Sequence, residues 1–197
     1  MPEMREDSSI YTVHCMQTYL SAPRLVRGSA RKTSFRFGCP RTNPARLVVD
    51  PQQMIEHALR IALGVHSGQR DRYERPYILH PLTVALHGDT DDEIITGLLH
   101  DVIEDSEEWT TERFRVEGFP RRITEAVDCL SKREGEVWDD YIDRVVTDEL
   151  AMRVKLNDLR HNMDARRMDS FGEKDAERFN RYLAAYRRIT SALQGSP

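Results

Sequence analysis

Cysteine is scarce in this sequence: Cys15, Cys39 and Cys129 are the only three in 197 residues. They are odd in number and far apart, so they form neither a disulfide framework nor a zinc-ligand spacing. That pattern suits a reducing compartment. No apolar run approaches the length of a membrane span, and the start, MPEMREDSSIYTVHC, lacks the apolar stretch of a secretion signal. The expectation is a cytoplasmic protein with no membrane partner. Strands of alternating polarity and internal repeats are also missing. A net charge of -4 makes no case for a nucleic-acid partner, and nothing in the pattern selects an oligomeric state. What is present is 39% hydrophobic and 31% charged, a globular balance with enough chain for one cored domain.

Charge is unevenly spread. Residues 1–46 hold eight Lys/Arg against three Asp/Glu, while the remainder holds 21 against 30. The first stretch has no clear periodicity and clusters Ser, Arg, Gly and Pro. It reads as a disordered basic extension or as residues ahead of a mis-assigned start, with a transit-peptide composition and an RNA-binding arm as further readings. Residues 47–197 read as the domain.

Within that domain the signals are helical and the expected class is all-α. Asp50-Pro51 is an N-cap followed by proline at the first helical position; Ile55, Ala58, Leu59 and Ala62 follow at helical spacing, and Gly64 is the expected stop. His80-Pro81 opens a short helix through Ala85. Further helices are expected over about 91–105, 121–130, 137–147, 149–163 and 174–193.

The segment GLLHDVIEDSEEW, residues 97–109, has no lysine or arginine to balance its acids. On a helix turning about 100° per residue, Ile94, Ile95, Leu98, Leu99, Val102 and Ile103 share one half. His100, Asp101, Glu104 and Asp105 share an arc on the other side, centred near Gly97. Stacking of His100 on Glu104 and of Asp101 on Asp105 is expected, with Gly97 leaving room for a ligand. A solvated acidic face is the bland alternative.

ELAMRVKLNDLRHNMD, residues 149–164, tips the balance. Its expected outer arc carries Arg153, Asn157 and Arg160, whereas Asp158 points inward between Ala151 and Val154, flanked by Lys155 and Asn162. A carboxylate facing a core costs several kcal/mol unless it is paired or metal-bound. An Asp158–Lys155 pair would account for Asp158 alone. A metal accounts for Asp158 together with His100-Asp101, and His80 in PYILHP completes the set. Two imidazoles and two carboxylates suit Mn²⁺, Fe²⁺, Zn²⁺ or Mg²⁺, and a bound water beside a carboxylate base suits metal-assisted hydrolysis.

The order His80, His100-Asp101, Asp158 resembles the HD phosphohydrolase superfamily. HSGQ (66–69), PYILHP (76–81), LLHDVIED (98–105) and VKLNDLRHNMD (154–164) narrow the resemblance to the hydrolase domain of the RelA/SpoT family, especially its small stand-alone alarmone hydrolases. It spans about residues 50–193. The resemblance implies one Mn²⁺ held by His80, His100, Asp101 and Asp158, with Glu104 and Asp105 handling the attacking water and its proton. It implies that Asn162 contacts the nucleoside and that Arg72 approaches the phosphates, with Arg70 and Lys155 as further substrate contacts. The implied reaction is hydrolysis of the 3′-diphosphate of (p)ppGpp to pyrophosphate and GDP or GTP, by a chain that degrades alarmone without making it.

This sequence departs from the family where an arginine stacks on guanine: Asp71 stands there, expected to accept hydrogen bonds from the base. The usual glycine before the proline is also missing from RYERPY. An adenine alarmone and NADPH are therefore open as substrates. A nucleotide or NADPH phosphatase and a non-catalytic alarmone-binding regulator are the competing functions. His66 is expected to orient a loop, and His161 either supports the metal site or bonds within the core.

Overall fold

Asp50 caps the first helix, α1 (Pro51–Val65), by accepting from the Gln52 amide at 3.3 Å. The structure, a computed structural model, describes residues 50–195, so the readings of residues 1–46 and of 47–49 lie outside it. Gly64 does not end α1. The helix runs one residue further, the His66 amide bonds to Ala62 O, and the left-handed turn falls at Gly68 (φ +79°). The following loop leads into α2 (Leu79–Leu86) and α3 (Asp91–Leu99). Thr90 caps α3 through the Glu93 amide, and the Glu93 carboxylate returns to the Asp89 amide at 3.0 Å, a near relative of the capping box.

Helix α3 stops at Leu99, not at the expected Asp105, and residues 100–105 continue as turns. The His100 ring bonds to Gly97 O at 2.8 Å, and the Val102 amide bonds three residues back, to Leu99 O. A regular helix would also place Asp101, Glu104 and Asp105 at its negative C-terminal pole, where carboxylates are unfavourable. Val102 is still fully buried, so the apolar spacing persists after the helix has ended. Gly97 serves packing. A Cβ there would stand 3.0 Å from Ala85 Cα, so the glycine lets α2 and α3 touch and leaves no approach for a ligand.

Five helices and a 3-10 turn follow. Helix α4 (Thr111–Val116), not expected from the sequence, is capped by Thr110 and buries Phe114. Then come α5 (Arg121–Leu130), α6 (Trp138–Val145), α7 (Glu149–Asn162), a 3-10 turn at Ala165–Arg167, and α8 (Glu173–Gly195). The class is all-α; among the described residues the only β pairing is an isolated Arg70–Pro76 bridge. Among the described residues, no helix is long and apolar enough to cross a membrane.

Helix α7 is the central element. Ala151, Met152, Val154, Leu156 and Leu159 are buried on it. One cluster packs Tyr141, Ile142, Val145 and Ile189 against it; the other gathers Ile95, Leu99, Phe114, Ile123 and Val127 around α3 and α5. Asn157, expected on the outer arc, is buried because its amide bonds to His87 O at 2.9 Å and ties α7 to the end of α2. Arg144 satisfies the end of α5: its guanidinium donates to the carbonyls of Asp128, Cys129 and Ser131 while pairing with Glu136 at 2.7 Å.

Candidate metal centre

Helix α2 supplies His80 from its second position, the turn after α3 supplies His100 and Asp101, and the middle of α7 supplies Asp158. His80 Nε2 lies 3.3 Å from His100 Nε2, 3.4 Å from Asp101 Oδ2 and 3.2 Å from Asp158 Oδ1. His100 Nε2 lies 3.1 Å from Asp101 Oδ2. One ligand atom from each of His80, His100 and Asp101 falls within 4.8 Å of the others, so this cluster could hold a metal ion. His80, His100 and Asp158 are buried.

The hydrogen bonds assign the imidazole lone pairs. His100 Nδ1 faces Gly97 O and must donate, leaving a lone pair at Nε2. His161 Nδ1 stands 3.2 Å from the Arg167 guanidinium, which only donates, and 2.7 Å from His80 Nδ1. His161 therefore accepts, His80 Nδ1 donates, and His80 Nε2 also carries a lone pair. Burial, with His80 and Arg167 nearby, pushes His161 down to about 4, which keeps it neutral. Two nitrogen lone pairs and Asp101 Oδ2 thus converge, with Asp158 Oδ1 against His80 Nε2, and neither ring turns a proton toward the set. Such a set repels itself unless a cation sits between its members, and hard oxygens mixed with imidazoles suit a divalent ion. With protons as the only cations, burial pushes His80 down but hydrogen bonds to Asp101 and Asp158 carry it up to about 9.

The ligand carboxylates are held by further donors. Tyr77 Oη donates to Asp101 Oδ2 at 2.6 Å. Lys155 Nζ pairs with Asp158 Oδ2 at 2.7 Å, and Asn162 donates to Asp158 Oδ1. The Asp158–Lys155 pair and the inward set are thus compatible, because different oxygens serve each. Lys155 also lies 4.9 Å from the Tyr141 ring.

The cluster forms one end of a cavity of about 390 Å³, a size common for small-molecule sites (roughly 300–1,000 Å³). Arg70, Asp71, Arg72, Lys155 and Asn162 all line it, as do Tyr73, Trp138, Arg167, Arg178 and Tyr182, which sequence reasoning missed. Glu104 and Asp105 part company. Glu104 opens into the cavity while its Oε1 accepts from the Lys132 amide at 2.7 Å. Enclosure by protein on its other sides, with the Asp101 carboxylate nearby, pushes its carboxyl up to about 7. Asp105 turns instead to His66 Nδ1 at 3.3 Å. The expected stacking on a continuous helix is thus replaced by a turn that sends the two acids different ways.

His66, buried, spans Asp105 and Gln69, whose Oε1 is 2.9 Å from Nδ1; its Nε2 has no hydrogen-bond partner. Tyr77 was findable in PYILHP, three residues before His80. Arg167 was not, because its Asp71 partner lies 96 residues away in sequence.

No protein-family model matches the chain. The chain is similar to a GTP pyrophosphokinase of Myxococcus xanthus, 34% identical over 66% of this chain and 19% of the relative. It is similar to a guanosine-3′,5′-bis(diphosphate) 3′-pyrophosphohydrolase of Haemophilus influenzae, 35% identical over 52% of this chain and 17% of the relative. A chloroplastic protein of Oryza sativa, named for GTP diphosphokinase activity, is 37% identical over 45% of this chain and 11% of its own length. The matches thus span less than a fifth of these relatives. By name, they include both enzymes that make and enzymes that hydrolyse.

Proposed function

We propose that the chain is a metal-dependent phosphohydrolase that removes the 3′-diphosphate of (p)ppGpp, or of its adenine counterpart, as pyrophosphate. One observation carries this reading: electron-rich atoms of His80, His100 and Asp101 converge, with Asp158 against His80, beside a nucleotide-sized cavity that Glu104 also lines. Relatives named for making and for hydrolysing guanosine polyphosphates support the substrate class. Mn²⁺ is the proposed ion; when bound, it lowers the pKa of water and neutralises phosphoryl charge.

The protein's own groups account for the rest. Tyr77 and Lys155 fix the carboxylates of Asp101 and Asp158, so the ligand oxygens need no reorganisation. Glu104, with its carboxyl near 7, takes a proton from the attacking water as the new P–O bond forms. The bond from phosphorus to the ribose 3′ oxygen breaks, and the same carboxyl returns a proton to that oxygen. Products are pyrophosphate and GDP from ppGpp, or GTP from pppGpp. Asp105, facing His66, supports this turn instead of touching substrate. Asn162 contacts the nucleoside while Arg70 and Arg72 meet its phosphates.

The test is turnover of ppGpp, ppApp and NADPH side by side with Mn²⁺, resolving pyrophosphate from orthophosphate. Pyrophosphate from a 3′-diphosphorylated nucleotide is the expected result. Orthophosphate alone would replace this reading with a phosphatase, and binding without turnover would replace it with a regulator.

A further inference from the structure

Asp71 spends three of its carboxylate acceptor positions within the protein. Its Oδ1 accepts from the Tyr73 amide at 2.8 Å and the Arg75 amide at 3.0 Å, closing the loop at residues 71–75. Its Oδ2 accepts from Arg167 at 2.7 Å, across 96 residues of sequence. Arg167, in the 3-10 turn, also donates to His161 O at 2.9 Å. Side chains of Arg167 and Asp71 are only 13% and 9% exposed, and both line the cavity.

From this we infer that Arg167 is a specificity-determining residue that stacks the flat face of its guanidinium on the substrate's purine, beside the Tyr73 ring. Both terminal nitrogens are anchored in the guanidinium plane, one to Asp71 and one to His161 O, which fixes the plane's orientation. The charge is already neutralised by Asp71, so a phosphate would have to displace a well-placed carboxylate to use it. What remains for a ligand is the face, and guanidinium faces stack on planar rings. The Arg167 carbon lies over the Tyr73 ring, 5.8 Å from its centroid, so Tyr73 backs the guanidinium on the same wall. Stacking tolerates any purine, because every base has a π-face. The inference rests on the nucleotide reading above and deepens it: guanine and adenine substrates should be turned over at rates within about tenfold of each other.

The decisive variant is Arg167→Lys, which keeps the charge facing Asp71 but removes the plane. A second, Asp71→Asn with Arg167→Gln, removes both partners so that neither charge is stranded; circular dichroism checks that each folds. Calorimetry on the Mn²⁺-loaded protein then compares adenosine 3′,5′-bisphosphate with inorganic pyrophosphate, which has no base. Each variant should bind the bisphosphate about tenfold more weakly, in line with a stacking contribution of roughly 1–3 kcal/mol per base, and pyrophosphate within twofold of wild type. Equal losses on both probes, no loss on either, or loss of bound Mn²⁺ would overturn the assignment. So would a hundredfold preference of the wild type between ppGpp and ppApp. If the wild type hydrolyses neither nucleotide yet shows the selective loss, the reaction reading fails and the stacking residue stands.

Discussion

The two ends of the cavity are built on different principles. At the candidate metal end, side chains come from two helices and one tight turn, His80, His100 and Asp158 are buried, and the set presents lone pairs. At the nucleotide end, a loop is joined to neighbouring elements by arginine–carboxylate pairs, Asp71–Arg167 and Arg72–Asp175, each at 2.7 Å. Arg178 shares Asp175 with Arg72. The first end gathers acceptors that suit a cation, while the second gathers guanidiniums held by carboxylates. On the proposed function, chemistry belongs at the first end and recognition at the second, so a variant that breaks one end is best read at the other.

The largest effect is expected from Asp158→Asn. It should abolish metal binding and activity, and it should also destabilise the fold. Lys155 is buried against Asp158, and removing one member of a buried pair costs about 3–5 kcal/mol. The double variant Asp158→Asn, Lys155→Met removes the stranded charge and should recover much of that stability without recovering metal. Elemental analysis and chemical denaturation report the two halves separately. A double variant that regains full metal occupancy removes Asp158 from the ligand set.

Glu104→Gln should leave metal and nucleotide affinity near normal and lower kcat by about 10²–10⁴-fold, the range of general acid–base catalysis. The pH profile sharpens this. Burial and the Asp101 carboxylate raise the Glu104 carboxyl to about 7, so the base form, and with it kcat, is lost as pH falls through that value. A bound cation moves this limb toward lower pH. The limb should vanish in the variant, and a limb that survives assigns the base elsewhere.

Much of the metal end was legible because helix periodicity alone says which way a side chain faces. Asp158 stood out as an inward acid, and the short Asp101-to-Asp105 run as acids without counter-charges. Periodicity misled where the backbone left the helix. Val102 and Ile103 keep apolar spacing through a turn, so α3 read six residues too long and His100 appeared stacked on Glu104. Gly97 and Asn157 were misread because their partners, Ala85 and His87 O, lie on α2 and at its C-cap. Helix α4 spans only six residues around one buried phenylalanine, too short for a periodic signal. The Asp71–Arg167 pair was invisible for the same reason: nothing local reveals a partner 96 residues away.

A smaller effect is expected where the two ends meet. His161 accepts from His80 at 2.7 Å and is itself touched by Arg167, so it is a positioning residue between the base wall and the metal. His161→Leu removes the acceptor that fixes the His80 tautomer. Losing such an outer partner typically costs about 10–100-fold in metal affinity. His161→Asn, with a carbonyl oxygen to accept the same bond, should recover part of it. Competition with a fluorescent chelator measures both. Equal affinities in the two variants would show that His161 only fills space.

The smallest effect should be of opposite sign. Glu74, at the tip of the loop carrying Asp71, adopts φ +59°, the only positive φ among the described non-glycine residues. Its amide bonds to Asp71 O and its carbonyl accepts from the Arg70 guanidinium at 2.6 Å, so the loop holds it there. An L-residue in the left-handed region costs about 1–2 kcal/mol relative to glycine. Glycine also loosens the unfolded chain, which takes back about 0.4–1 kcal/mol. The exposed side chain should contribute little to either side of that balance. Glu74→Gly should therefore gain about 0.5–1 kcal/mol, raising Tm by roughly 1–4 °C for a chain of this size. The Asp71–Arg167 pair and nucleotide affinity should be unchanged, because the backbone bonds are kept. A fall in Tm would mean that chain entropy outweighs the relief, and weaker nucleotide binding would mean that rigidity at Glu74 holds the recognition end in shape.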